Sequence, residues 1–423
     1  MLTLQYLRSN SASAIQRLAK KHFDAKDIIG KIISLDADRR QTQAQLDQLL
    51  GQSNALSKEI GQLFSQGKKE AAEEKRTLSI QYRDDAKKLE EKLKATEDQL
   101  QQLLVRLPNL PNELVPEGKT PEDNVVVREG GMMPVLPEDA KPHWELASKY
   151  DIIDFETGNK VTGAGFPFYK GKGAKLQRAL ISFFLDNAMA AGYTEYQPPL
   201  LVNADTGFGT GQLPDKDGQM YFVSEDGFYL IPTAEVPVTN IYRDMLVKEE
   251  QLPIKMTAYS QCFRREAGSY GKDVRGLNRL HQFDKVEIVR INHPETSYAA
   301  LDEMVAHVEG LVKKLELPYR ILRLCGGDMS FASALTYDFE VYSAAQGRWL
   351  EVSSVSNFEN FQANRMKCRY KDASGKTQLV HTLNGSSLAL PRIVAALLEN
   401  HQTAEGIKIP AVLQKYFGSV ILD

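Results

Sequence analysis

Apolar residues recur at steps of four and three from Leu35 to Leu63. Leu35, Leu46, Leu49, Leu56, Ile60 and Leu63 carry the series, and Arg39, Thr42 and Ser53 fill its other places. A second series follows at Tyr82, Ala86, Leu89, Leu93, Thr96, Leu100 and Leu103. Heptad spacing predicts two long helices, each with a narrow apolar seam. Between them lies FSQGKKEAAEEK, where Gly67 suits a helix C-cap and turn. Neither seam can be buried alone, so the two predict an antiparallel hairpin whose arms, roughly 30 residues each, span about 45 Å. Such a hairpin serves equally as a dimerising coiled coil or as a rigid arm reaching a large partner, and the pattern leaves both open.

The segment LPNLPNELVPEGKTPEDN (107–124) concentrates Pro108, Pro111, Pro116 and Pro121, which ends helix. The boundary between a domain at 1–108 and one at 109–423 falls here. A loop-rich piece, GGMMPVLPEDAKPHWEL, continues to the region of Trp144. KLQRALISFFLDNAMAAGY (175–193) reads as an amphipathic helix closed by Gly192, and EYQPPLLVN carries Pro198-Pro199, which suits an edge or terminating strand. GFYLIPTAE, KMTAYSQCFRRE, HQFDKVEIVRI, YRILRLC, ALTYDFEVYSAAQGRWLEVSSVSNF and QLVHTLNGS read as strands, and SLALPRIVAALLENHQ as a final helix. Several strands follow one another with no helix between. That predicts an α+β fold with an antiparallel or mixed sheet and helices on one side.

Composition narrows the class. The chain has 423 residues, 42% hydrophobic and 25% charged, as in ordinary soluble domains. No apolar run is long enough to span a membrane, and the first residues do not read as a signal peptide. Three widely spaced cysteines argue against a disulfide framework and a zinc site, which points to a cytoplasmic protein. The net charge of -3 divides into +4 over residues 1–108 and -7 over the rest. A mildly basic N-terminal part is compatible with contact to a polyanion.

GAGFPFYKGKGAKLQ (163–177) fails the phosphate-loop pattern, because Lys172 is followed by Gly173 rather than Ser or Thr. No Ser, Cys or His constellation for nucleophilic catalysis stands out, and a lone His281 reads as a packing or hydrogen-bonding group. If the chain is an enzyme, its catalysis is expected to work by positioning and charge neutralisation. FRREAGSYGKDVRGLNRLHQFDKVE (263–287) can supply both. Alternation places Arg264 and Glu266 on one strand face, and Phe283 and Glu287 on one face of the returning strand. Arg264 can clamp a phosphate or carboxylate, Glu266 can accept from an amine, and Phe283 offers a ring. The residues between, Lys272 included, read as a loop. LIPTAE places Thr233 and Glu235 on one face of a strand-like run. Glu351, Ser353 and Ser354 make a hard-oxygen site fit for Mg²⁺. LNGSSLALPR reads as a strand end, a Gly turn with small hydroxyls and a helix bearing Arg392. Each segment alone is also consistent with a salt-bridged hairpin or a polar strand.

In this order the segments PPLLVN, IPTAE, CFRREAGSYGKDVRGLNRLHQFDKVE, EVSSVSNF and NGSSLALPR resemble the catalytic domain of class II aminoacyl-tRNA synthetases, specifically the bacterial-type seryl branch. The resemblance extends to the N-terminal helical arm. It implies a class II antiparallel sheet flanked by helices, and ligation of L-serine to tRNA through a seryl-adenylate, with ATP as substrate and Mg²⁺. It implies that Arg264 binds the α-phosphate and the serine carboxylate, that Glu266 reads adenine and that Phe283 stacks on it. Thr233, Ala234, Glu235, Glu287 and Ser386 would bind serine. Glu351, Val352, Ser353 and Ser354 would contact ATP, with Glu351 and Ser354 on the metal, and Arg392 would hold the γ-phosphate. Arg265 belongs to the nucleotide segment, but its side chain is expected on the opposite strand face, without a catalytic role. The implied partners are tRNA-Ser and tRNA-Sec, gripped by the arm, and a second copy in a homodimer with the Pro198 segment at its interface. No membrane association is implied. A related ligase for another amino acid or acceptor, and a coiled-coil protein with an inactive head, are the competing readings.

Overall fold

A computed structural model describes residues 1–215, 217–267 and 275–423. Contacts divide it into two compact units, Met1–Ala19 with Phe23–Pro108, and Lys20–His22 with Asn109–Asp423.

The first unit is built on α1 (Lys26–Ser65) and α2 (Lys69–Leu104), joined at Gly67. Gly67 adopts φ +75, and the Lys68 amide donates back to the Leu63 carbonyl at 3.0 Å, closing the helix end. The buried positions of α2 include Ala72, Ser79 and Ala86, seven residues apart. Small residues on a heptad seam let two helices approach closely without a third layer. With 40 and 36 residues the helices exceed the expected 30. The additional length of α1 lies before the heptad series, where Ile28, Ile29 and Ile32 are buried and two short helices, Leu4–Ser9 and Ser11–Ala19, fold back on its base. There the buried Asp36 carboxylate binds Arg8 at 2.7 Å, Arg39 at 3.1 Å and Arg40 at 3.2 Å.

The second unit is organised by an eight-stranded sheet. In chain order its elements are β1 (Val125–Gly130), α3 (Lys172–Ala190), β2 (Thr194–Tyr196), β3 (Ile254–Phe263) and β4 (Gln282–Asn292). They continue with α4 (Ser297–Lys314), β5 (Tyr319–Arg323), β6 (Leu335–Ser343), β7 (Arg348–Asn357), β8 (His381–Ala389) and α5 (Leu390–Asn400). The strand order is β1-β5-β6-β7-β8-β4-β3-β2, and every pairing is antiparallel except the parallel contact of β2 with β3. Phe184 of α3, Leu301 of α4 and Ile393 of α5 share one core with Ile288, Phe339 and Val355 of the sheet. The three long helices therefore bury one sheet face. A second cluster joins Met256 and Val289 to Val238 and Met366, from the short helices Glu235–Thr239 and Phe361–Met366. The double proline follows β2, the outermost strand. Gly385 makes no turn, contrary to the reading of LNGSS. It sits inside β8 opposite Val355, and an added Cβ there would meet the Val355 side chain at 3.0 Å. Among the described residues no helix is long and apolar enough to cross a membrane.

Candidate active site

Among four neighbouring strands, β7 carries Glu351, Val352, Ser353 and Ser354, β8 carries Ser386 and β4 carries Phe283 and Glu287, while β3 ends just before Arg264. β3 ends at Phe263, so Arg264 and Glu266 do not share a strand face as alternation suggests. The backbone turns away because the Arg264 amide donates to the His281 carbonyl at 2.9 Å and the Arg265 amide to the Gln219 carbonyl at 2.8 Å. Glu266 then adopts φ +51, and its carboxylate accepts from Arg279 at 2.7 Å. The guanidinium carbon of Arg264 lies 5.3 Å from the centre of the Phe283 ring, within cation–π range. Arg265 is exposed. His281 stacks on Phe166 at 5.4 Å and meets the Tyr221 hydroxyl at 2.9 Å, a packing and hydrogen-bonding role. Residues 268–274, including Lys272 of the anticipated loop, lie outside the described residues.

The LIPTAE segment is not a strand throughout. The strand Phe228–Leu230 stops, and Glu235 opens the short helix. In the turn between, the Thr233 hydroxyl accepts the Glu235 amide at 3.2 Å and donates to Glu287 Oε2 at 3.1 Å. Asn384 Nδ2 donates to Glu287 Oε1 at 2.8 Å and to Glu235 Oε2 at 3.0 Å. Gln362 Nε2 donates to Glu235 Oε1 at 2.7 Å, and Lys285 Nζ sits 2.8 Å from Glu287 Oε2. Glu235 and Glu287 are 6% and 1% exposed, so two buried carboxylates meet within one hydrogen-bond network. Burial, and then the charge of Glu287, push the Glu235 carboxyl up to about 7. Gln362, Lys285 and Arg264 oppose that shift without overcoming it. Ala234 packs its methyl group into the apolar cluster beside Met256, so only its backbone can meet a ligand.

Ser386 faces Glu287 across the β8–β4 pair, and its carbonyl accepts the Ser353 hydroxyl at 2.7 Å. Val352 is buried in the core against the long helices. Arg392, in the first turn of α5, donates through Nε to the Asn278 carbonyl at 3.1 Å and through Nη1 to the Glu351 carbonyl at 2.7 Å. Its Nη1 also lies 3.7 Å from the half-exposed Glu351 carboxylate. Ser354 pairs in register with Asp338, whose carboxyl is raised well above the ordinary range by burial and then by Glu351. A cleft of about 510 Å³ opens beside Glu351 and Ser354, lined also by Asp338, Glu340 and Thr336. Among the described residues no group of three or more His, Cys, Asp or Glu converges as a metal cage. Glu351 and Ser354 still fit Mg²⁺, which takes one or two carboxylates and completes its shell with phosphate oxygens and water.

Residues 1–111 match the family described as seryl-tRNA synthetase N-terminal domain, and residues 221–401 match the tRNA synthetase class II core domain (G, H, P, S and T). A serine--tRNA ligase of Salinibacter ruber is 50% identical over 420 residues, covering 99% of this chain and 98% of that one. One from Neisseria gonorrhoeae is 47% identical over 428 residues, with 99% of each covered. The chain belongs to the seryl-tRNA synthetase family. A crystal structure of the Pyrococcus horikoshii seryl-tRNA synthetase complexed with ATP superposes with a TM-score of 0.92 at 32% identity, covering 100% of this chain and 99% of that one.

Within this seryl-tRNA synthetase fold, sequence reasoning missed Lys285, Asn384 and Gln362. Two of them were within reach of alternation: Lys285 stands two residues before Glu287 on β4, and Asn384 two before Ser386 on β8. Gln362 offers no such signal, because it comes from a short helix more than a hundred residues away from Glu235 in sequence.

Proposed function

We propose that the chain activates L-serine with ATP and transfers it to the 3′ end of tRNA-Ser, as a serine--tRNA ligase. The observation that carries the amino-acid assignment is the shared network of Thr233, Glu235, Glu287 and Asn384. Two buried acids suit an α-ammonium group, and polar groups fixed around them suit a small hydroxyl side chain. A site built to hydrogen-bond a hydroxyl rejects the analogue that lacks it, which favours serine over alanine. Rejection of threonine rests on one methyl group and therefore on the closeness of the pocket walls.

The reaction follows from charge. The serine carboxylate attacks the α-phosphorus, pyrophosphate leaves, and negative charge grows on the phosphoryl oxygens. Arg264 holds the α-phosphate and the serine carboxylate. Phe283 covers adenine, Glu266 accepts from its amino group, and Arg392 holds the γ-phosphate. Positioned cations lower this barrier without a protein nucleophile. Mg²⁺ held by Glu351 and Ser354 supplies charge neutralisation at the phosphates when bound. Ser353 and Val352 act through backbone and packing, since the Ser353 hydroxyl is committed to Ser386 and Val352 is in the core. Arg265 contributes through its backbone to the turn that aims Arg264.

The helical hairpin belongs to the same reading as the element that grips tRNA, through backbone charge and shape. Service to tRNA-Sec extends this on family resemblance. A homodimer completes it, with the Pro198 segment at the interface: β2 is the last strand of the sheet within this chain, and a second copy can cover its outer edge. The cytoplasm is the compartment this reading implies. The test is amino-acid-dependent exchange of pyrophosphate into ATP with Mg²⁺, run with each amino acid in turn. Serine should stimulate exchange, and failure of serine to do so sinks the assignment.

A further inference from the structure

Arg392 and Glu266 are both held by one short segment, Arg275–Arg279. The Asn278 carbonyl accepts from Arg392 Nε at 3.1 Å, and Arg279 donates to Glu266 at 2.7 Å. What fixes that segment lies outside the substrate site. His143 is fully buried, at the start of the short helix His143–Lys149. Its Nε2 accepts the Leu277 amide at 2.9 Å, and its Nδ1 lies 2.7 Å from Glu399 Oε1. An amide can only donate, so Nε2 carries no proton, and the imidazole is the Nδ1–H tautomer donating to Glu399. Glu399, fully buried on α5, is held in turn: it accepts the His143 amide at 3.0 Å, the Ser343 hydroxyl and Gln346 Nε2 at 3.0 Å. Burial alone would raise the Glu399 carboxyl, but the hydrogen bonds from His143 and Ser343 outweigh it and hold it below its ordinary range.

Gln346 closes the ring, since its Oε1 accepts Asn278 Nδ2 at 3.1 Å. Gly276 allows the approach. It adopts φ +68, and a Cβ there would stand 2.2 Å from His143 Nε2. Arg275 lies over the Trp144 ring at 4.7 Å, next in sequence to His143. Elements distant in sequence thus converge on five residues that carry no substrate group of their own except through Arg392 and Glu266.

We propose that His143, oriented by Glu399, is a positioning residue for ATP. It fixes Gly276–Arg279 so that the Asn278 carbonyl aims Arg392 and Arg279 aims Glu266. This rests on the nucleotide roles proposed for Arg392 and Glu266. It goes beyond them by assigning their geometry to a buried His–Glu pair. The serine network of Thr233, Glu235 and Glu287 makes no contact with this pair, so the effect should fall on ATP alone.

The test uses the full chain and two substitutions that divide the ring's functions. His143→Asn keeps a donor for Glu399 and loses the acceptor for Leu277. His143→Gln restores an acceptor near the Nε2 position. ATP binding by calorimetry and the KM values for ATP and serine in exchange are measured, with thermal unfolding alongside. His143→Asn should weaken ATP binding and raise its KM by about tenfold, leaving the serine KM within about twofold, and His143→Gln should recover most of the loss. Gln346→Leu, which removes the Asn278 bond together with the Gln346 bonds to Glu399, Ser343 and Arg348 but leaves His143 in place, should shift ATP in the same direction by about threefold, and it serves if His143→Asn does not fold. Unchanged ATP binding in His143→Asn and Gln346→Leu, or equal losses for ATP and serine, would overturn the proposal. Calorimetry keeps the two readings apart: a wild-type chain that binds ATP without serine-dependent exchange refutes the serine assignment and still tests His143.

Discussion

Glu235 and Glu287 share one amide: Asn384 Nδ2 donates to Glu235 Oε2 at 3.0 Å and to Glu287 Oε1 at 2.8 Å. Lys285 lies on the Glu287 side of this bridge, at 2.8 Å. Two ionised carboxylates in this position would face each other without bulk water. Burial and the neighbouring Glu287 charge therefore keep a proton on Glu235 up to about pH 7.

This has a consequence for stability without ligand. The folded chain holds the Glu235 proton up to about 7, against an ordinary value of 4.5. Its contribution is fully present below the ordinary value and is lost as pH rises through about 7, a change on the order of a few kcal/mol. Glu235→Gln removes the titration. Between about pH 5.5 and about pH 8, the wild-type unfolding temperature should fall more than that of the variant. Parallel curves for the two proteins would mean that Glu235 is already ionised at the lower pH.

The same proton should respond to serine. An α-ammonium beside Glu235 favours the carboxylate, so binding releases the proton below about pH 7 and affinity rises with pH through that range. Calorimetric titration of serine in buffers of different ionisation enthalpy reads the release directly. The expected outcome is a fractional proton released near neutral pH by the wild type and none by Glu235→Gln. Binding heats independent of buffer in the wild type would place the ammonium elsewhere.

Arg264 is the group on which both half-sites depend. Its guanidinium lies over Phe283, and its charge is felt at Glu235. Arg264→Ala should reduce serine-dependent exchange by about a hundredfold or more, the scale seen when one preorganised transition-state contact is lost. The side chain is part-exposed and sits beyond the end of β3, so thermal unfolding should change little. Retained exchange would contradict the clamp. Arg265→Ala is the control, because that side chain is exposed, and it should stay near wild type.

The legible parts of the molecule were those with local periodicity. Heptad spacing disclosed the hairpin, and runs of alternating residues disclosed most of the sheet. Ends were less legible, because they are set by partners distant in sequence. Nothing in KMTAYSQCFRRE says that the strand stops at Phe263; the His281 and Gln219 carbonyls that draw the next two amides away decide it. Likewise Thr233 and Glu235 were read onto one face of a strand-like run, yet they meet around Glu287 and Asn384 through a turn and a helix start. The length of α1 escaped because its first turns bury Ile28, Ile29 and Ile32 outside the heptad series.

The helical hairpin offers a test that separates the two half-reactions. Glu59 of α1 and Lys75 of α2 face each other at 2.7 Å, which marks the register in which the two helices pair. Excising residues 44–90 and joining the stumps with a short Gly-Ser linker leaves facing ends, and keeps Asp36 with Arg8, Arg39 and Arg40 at the base. The second unit has its own core and holds every residue proposed to touch serine or ATP. Exchange should therefore stay within about twofold of wild type, since no group of the reaction is removed. Transfer of serine to tRNA should fall by about a hundredfold or more if the hairpin supplies the backbone contacts that hold the RNA, and the salt dependence of RNA binding should flatten as those cations are lost. Transfer at the wild-type rate would instead give the hairpin to dimerisation, and sedimentation of the excised chain would then show the monomer.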